Sequence, residues 1–170
     1  MKNLLFYTLI SLCFFNEPLF SQKSSKFGHI NASEILNLMP ERKVALAKLD
    51  TSTKELDKQL QEMMNEYRSK EEKYRSESSK LSDLIKADKE AEIQGLATRI
   101  QAFQQQAEES IQKRQQELME PVLVKARKAI EQVAKENGYT YIFDTSTGAF
   151  LYFEESDNIL ALVKKKLNLP

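Results

Sequence analysis

From Leu49 onward, core-type positions recur at alternating spacings of four and three: Leu49, Thr53, Leu56, Leu60, Met63, Tyr67, Lys70, Tyr74, Glu77, Leu81 and Leu84. A heptad spacing of this kind draws one stripe along a helix and asks for a second helix to cover it. After the polar interruption Lys86-Ala87-Asp88-Lys89-Glu90, the spacing resumes at Ile93, Leu96, Ile100, Phe103 and Ala107. Ile111, Leu118, Val122, Ala126, Ala129 and Val133 continue it with phase slips. Two helices with matching stripes are expected to fold back on each other, with the turn at Lys86 to Glu90. A single continuous helix is the competing geometry, because no Gly or Pro marks the break. At about 1.5 Å per residue, a first helix from Glu41 to Ile85 would be roughly 65 Å long. Its seam is thin: Lys70, Glu77 and Thr53 occupy core-type positions, so packing per turn is expected to be weak and the arm pliable.

The pattern changes at both ends of this stretch. Phe27 to Asn31 reads as a short strand, and Asn31 with Glu34 three residues on fits a helix cap, followed by a short helix to about Met39. Pro40 suits the first turn of the next helix, where its missing N–H costs nothing. Asn137-Gly138 supplies a helix stop, and Tyr139 to Phe143 then runs as a strand. Thr145 to Gly148 makes a turn and Ala149 to Phe153 a further strand. Ser156 or Asp157 is expected to cap a last helix ending near Leu167.

The expected class is therefore α+β and mostly helical, a long antiparallel coiled-coil hairpin projecting from a small β-containing body. The expected division is a helical arm over 41–120 and a body built from 22–40 and 121–170. Three strands with aromatic faces enclose too little apolar area to offset their ordering entropy, and they leave open edges. Self-association is the expected remedy, with Ile30, Tyr139, Tyr141, Phe143, Phe150 and Tyr152 as candidate oligomerisation residues.

Composition agrees with the pattern. The 97 residues from Glu41 to Asn137 hold one Gly, Gly95, and one Pro, Pro121, as a long helix requires. Across the 170 residues, 25 Lys+Arg balance 25 Asp+Glu, so charge gives no reason to expect a nucleic-acid partner. One Cys and one His exclude a disulfide framework and a Cys/His metal cluster. No Gly-rich phosphate loop is present, and His29 lies in an expected strand with no nucleophile close in sequence. The sequence thus assigns no catalytic, cofactor or metal residue. His29 reads as a structural residue, and Lys164-Lys165-Lys166 as a basic last turn complementing a helix C-terminus.

At the N-terminus, Lys2 precedes an apolar run from Leu4 to Phe15 that is too short to cross a bilayer. It reads as a signal peptide over 1–21, cut after Ser21, which implies export. Cys13 lies inside the apolar run with Leu12 before it, a poor context for a lipidated cysteine.

The stretch from Val122 to Asp144 (VLVKARKAIEQVAKENGYTYIFD) resembles the Skp/OmpH family of periplasmic chaperones. So do Phe27-Gly28-His29-Ile30-Asn31, the segment Ile35 to Glu41, and the ending from Asp157 to Leu167. The resemblance implies a homotrimer with three arms around a cavity that holds unfolded outer-membrane proteins without ATP. On that basis Met63, Met64, Tyr67, Tyr74 and Phe103 are the candidate client-contact residues of the arm, although their spacing also suits seam or flank positions. The family's best-known members are basic, whereas Glu41 to Glu120 here carries 15 Lys+Arg and 17 Asp+Glu. Membrane contact is left open by the sequence. The other reading of the same seam is a structural coiled-coil envelope protein without chaperone activity.

Overall fold

The computed structural model describes residues 25–170; the expected signal peptide lies outside the described residues. Six regular elements follow in order: strand β1 (Phe27–Ile30), helix α1 (Ala32–Leu38), helix α2 (Pro40–Glu77), helix α3 (Asp83–Glu136), strand β2 (Tyr141–Asp144) and helix α4 (Leu160–Leu167).

The caps account for most boundaries. Asn31 caps α1 by accepting the Glu34 N–H on its side chain at 3.2 Å. Pro40 occupies the first turn of α2, as expected. At the end of α3, Gly138 takes φ +70°, and the Tyr139 N–H reaches back to the Ala134 carbonyl at 2.9 Å, while Gly138 N–H faces the Lys135 carbonyl. This paired closure satisfies carbonyls that the helix end would otherwise orphan. The chain therefore turns before the strand, and β2 begins at Tyr141 rather than Tyr139.

The antiparallel pair α2 and α3 forms the arm. At about 1.5 Å per residue, the 38 residues of α2 span about 57 Å. Its turn is not at Lys86 to Glu90, which lies inside α3, but at a 3-10 turn over Ser78–Lys80, with Ser82 in the extended conformation that starts α3. A heptad stripe looks the same after a shift of seven residues, so the stripe alone cannot choose where the hairpin closes. The root chooses: Glu41 pairs with Lys125, and Ala45 and Val122 share the body's core, which locks the register from the base upward. Closure at the serines leaves Leu84 outside the seam, 82% exposed.

The core sits where the arm meets the body. Val122, Ala126, Ala129 and Val133 on α3 form one buried cluster with Ile30, Ile35, Met39, Ala45, Ile159 and Val163. Between 46 and 121, by contrast, Leu96 is the only fully covered residue. The thin seam expected from Lys70, Glu77 and Thr53 is thus a property of the folded arm.

The sheet has two strands instead of three. β1 and β2 run parallel, with Phe27 opposite Tyr141 and Ile30 opposite Asp144. On the other edge of β1, the carbonyl of His29 accepts the Ile159 N–H at 2.9 Å, and Asn158 makes an isolated bridge to His29. Ala149 to Phe153 pairs with neither strand within the chain and stays irregular, and the outer edge of β2 is left open. The expected cap of the last helix also moves. Glu155–Asp157 forms a 3-10 turn, and the Asn158 side chain accepts the Leu160 N–H at 2.9 Å.

Candidate functional site

Strand alternation gives the body sheet two unlike faces. Gly28, Ile30 and Ile142 lie on the face toward the helices, where Ile30 is buried and Ile142 packs against the core. A Cβ at Gly28 would lie 2.8 Å from the Tyr139 ring and 2.9 Å from Ile142 Cδ1, so this close approach requires glycine. The expected oligomerisation residue Ile30 therefore belongs to the chain's own core and offers no exposed surface. Tyr139 packs on this same side, with Lys26 Nζ 4.1 Å above its ring.

The opposite face is aromatic and open. Phe27 stacks on Tyr141 with ring centroids 5.7 Å apart and on Phe143 at 6.1 Å, and Phe143 meets Phe150 at 5.1 Å. Tyr141 remains 57% exposed and Tyr152 79% exposed, and Leu151 between them and Phe153 beside them are also uncovered. Of the sequence-expected residues, the structure brings Tyr141, Phe143 and Phe150 together on this face, and Phe27 joins them, while Tyr152 and Leu151 follow as exposed residues of the next segment. Phe27 was legible as the partner position two residues before His29, on the same strand face.

His29 is the buried polar residue of the body. Its Nε2–H donates to the Glu154 carbonyl at 2.9 Å, its ring packs on Phe153 at 4.3 Å, and its Nδ1 is enclosed without a partner. The bond fastens the segment after Phe150 across β1. Through this bond and the contact with Phe153, His29 acts as a strut. Among the described residues, no cluster of His, Cys, Asp or Glu is arranged to hold a metal ion.

In the arm, Met63, Met64, Tyr67, Tyr74 and Phe103 are all half-buried. Met64 and Tyr67 line a shallow groove with Ala97 and Ile100. The Tyr74 hydroxyl donates to Glu90, which raises the pKa of the phenol, with burial adding to the effect. Lys70, at a core-type position, donates to Glu92 at 2.5 Å. At the root, the Lys125 ammonium donates to Glu41 and holds that carboxyl below its usual range; the Glu41 backbone N–H adds to this, and burial opposes it. The structure does not gather the five expected arm residues into one patch. It spaces them along the seam. No helix among the described residues is long and apolar enough to cross a membrane.

Comparison with known proteins adds to this picture. The family model described as "Outer membrane protein (OmpH-like)" matches residues 26–167. The "Chaperone protein Skp" of Pectobacterium atrosepticum is 29% identical over 150 residues, covering 86% of this chain and 87% of that protein. The protein of the same name from Photorhabdus luminescens is 25% identical over 147 residues, covering 86% and 88%. Among solved structures, a putative outer membrane chaperone (OmpH-like) from Caulobacter crescentus superposes with a TM-score of 0.74 at 14% identity, covering 85% of this chain and 84% of that one.

Proposed function

Because the chain belongs to the OmpH-like outer membrane protein family, we propose that it is an ATP-independent holdase of the periplasm. It assembles as a homotrimer through its body and keeps unfolded outer-membrane proteins soluble between its arms. The carrying observation is the uncovered aromatic face of Phe27, Tyr141 and Phe143 with the unladdered segment Phe150 to Phe153. A contiguous apolar surface of this kind next to an open strand edge favours association with further copies. Other copies would supply the ladder that Ala149 to Phe153 lacks within one chain.

The arm supports the second half of the reading. Helices joined by so few covered side chains open at low cost, and pliable walls accept clients of different size. Met63, Met64, Tyr67, Tyr74 and Phe103 expose part of their surface along this wall and contact the client weakly and repeatedly. The relatives named as chaperones support the same activity. Export by the Lys2-led apolar segment places the protein in the periplasm.

Two measurements test the proposal. Sedimentation should give three chains per particle at micromolar concentration, and Tyr141→Arg, which places a charge on the open face, should shift the population toward single chains. An unfolded β-barrel protein diluted from urea should stay soluble in the presence of the wild type without nucleotide. Aggregation identical to the buffer control would defeat the chaperone reading.

A further inference from the structure

His29 stands on the same face of β1 as Phe27 and opposite Phe143 of β2, so its ring belongs to the aromatic face. It is the chain's one histidine, and only 5% of it is exposed. Phe153 covers the ring at 4.3 Å. The Glu154 carbonyl can only accept, so the proton of the neutral ring is on Nε2, and Nδ1 keeps a bare lone pair in an enclosed place with no partner.

A second proton would go to that nitrogen, and nothing around it is placed to receive the N–H. β1 packs against β2 and against the 3-10 turns at Thr145–Thr147 and Glu155–Asp157. From β2, Asp144 is turned to the Ser146 and Ala32 N–H groups, and Tyr141 is exposed on the aromatic face. Thr145–Thr147 carries no titratable group. From the segment beyond, the Glu154 carboxylate accepts the Ser156 hydroxyl at 3.4 Å and the Glu155 carboxylate the Asn158 amide at 2.7 Å, while Tyr152 and Asp157 are exposed. Lys26, ahead of the strand, donates to the Asn137 carbonyl at 3.0 Å. None of these groups reaches Nδ1. Charging the ring would therefore enclose an unpaired donor and a cation among aromatic side chains, and both are costly.

Water reaches the ring only if Phe153 moves, and Glu154 is tied to the same imidazole. Phe150 to Glu154 must lift with them, which takes Phe150 from Phe143 and breaks up the aromatic face. A second copy seated on that face would close the path. We propose that His29 makes association through this face proton-sensitive: copies stay together while the ring is neutral and part when it is charged. This rests on the proposed assembly and supplies its regulation. Protons and partner copies then compete for the same chain, and each weakens the binding of the other. Carboxylates titrate near about pH 4, and phenols and amines near about pH 10. Between about pH 5 and about pH 7.5, this imidazole is therefore the side chain among the described residues that changes charge.

The test is sedimentation of the purified chain over a series of concentrations at about pH 7.5 and about pH 5. The concentration for half association should rise at least about tenfold on acidification, the effect of one excluded proton per chain over one pH unit. His29→Gln keeps an N–H for the Glu154 carbonyl but takes no proton, and at both pH values it should associate within about threefold of the wild type at the higher one. Because the chain has one histidine, its imidazole C–H resonances report the charge of this ring directly. They should move to the charged position in step with dissociation. A ring that charges inside an intact particle would overturn the proposal, as would equal acid sensitivity in the wild type and in His29→Gln. If His29→Gln fails to fold, the wild-type resonances decide alone. Single chains at both pH values would defeat the assembly reading together with this one, whereas particles indifferent to pH would defeat only this one.

Discussion

Lys70 of α2 and Glu92 of α3 meet at 2.5 Å across the arm, at a position where a coiled coil ordinarily buries an apolar side chain. Glu66, one turn earlier on α2, stands 3.8 Å from the same ammonium. Both partners of the main pair keep much of their surface in water, so the contact sets register more than it adds stability.

This pair makes the outer arm sensitive to pH in a defined direction. The bond from Lys70 lowers the Glu92 pKa, and the bond to Glu92 raises that of Lys70. A lowered carboxylate contributes stability above its ordinary pKa and loses it as pH falls through the folded value; a raised ammonium contributes below its ordinary pKa and loses it as pH rises through the folded value. The contribution is therefore whole between about pH 4.5 and pH 10.5 and fails outside that window. Protection of the amides at 66–74 and 90–96, taken relative to the unstructured exchange rate at each pH, should fall on acidification below it, and Glu92→Gln should show the reduced protection already at neutral pH.

Leu96 is the one fully covered side chain of the outer arm. Replacing it with alanine should cost about 2–5 kcal/mol of local packing. Since the body core lies elsewhere, the loss should appear as faster exchange along both arm helices, with the body amides unchanged. A uniform loss of protection over the whole chain would show that arm and body unfold together.

Gly28→Ala places a methyl group against Tyr139 and Ile142, both under 3.0 Å away. Overpacking of this kind typically costs about 1–3 kcal/mol. Urea denaturation should report it as a lower midpoint at constant slope, and Gly28→Val should lower the midpoint further.

Asp144 ties the end of β2 to the start of α1. Its Oδ1 accepts the Ser146 N–H at 2.9 Å and the Ala32 N–H at 3.2 Å. Burial pushes this carboxyl up, but the Ser146 N–H, the Ser146 hydroxyl and the Ala32 N–H together outweigh it, and the net direction is down. Its stabilisation is present above the ordinary aspartate pKa and is lost as pH falls through the folded value. Asp144→Ala should cost about 0.5–2 kcal/mol at neutral pH, as the loss of a capping acceptor does. Asp144→Asn keeps an acceptor oxygen and should instead remove this residue's share of the acid dependence, measured by thermal melts between pH 3 and pH 7.

Much of the architecture was legible because it rests on short-range chemistry. The heptad positions from Leu49 to Val133, the Asn31 cap, Pro40 at a helix start and the Asn137-Gly138 stop each depend on residues within a few positions of one another. The serine-rich turn was also written in the chain, as Ser78, Ser79 and Ser82 followed by Asp83 in a first helical turn. The charged run at Lys86 to Glu90 competed with it as a break, but charges on a solvated helix face do not stop a helix.

Other features depend on which distant segments meet. The hairpin closes at Ser78–Ser82 because Glu41 meets Lys125 and because Ala45 and Val122 share a core, and no local pattern records that the two ends of the arm are neighbours. Ala149 to Phe153 has the composition of a strand but pairs with neither β1 nor β2 within the chain. Ile30 and Tyr141 look alike as apolar strand residues, yet pairing of β1 with β2 sends one into the core and leaves the other in water. Side-chain type and spacing dictate the propensity of an element within one or two turns. Which face it covers, and which edge remains free, is a long-range outcome of packing and exists only once the chain has closed on itself.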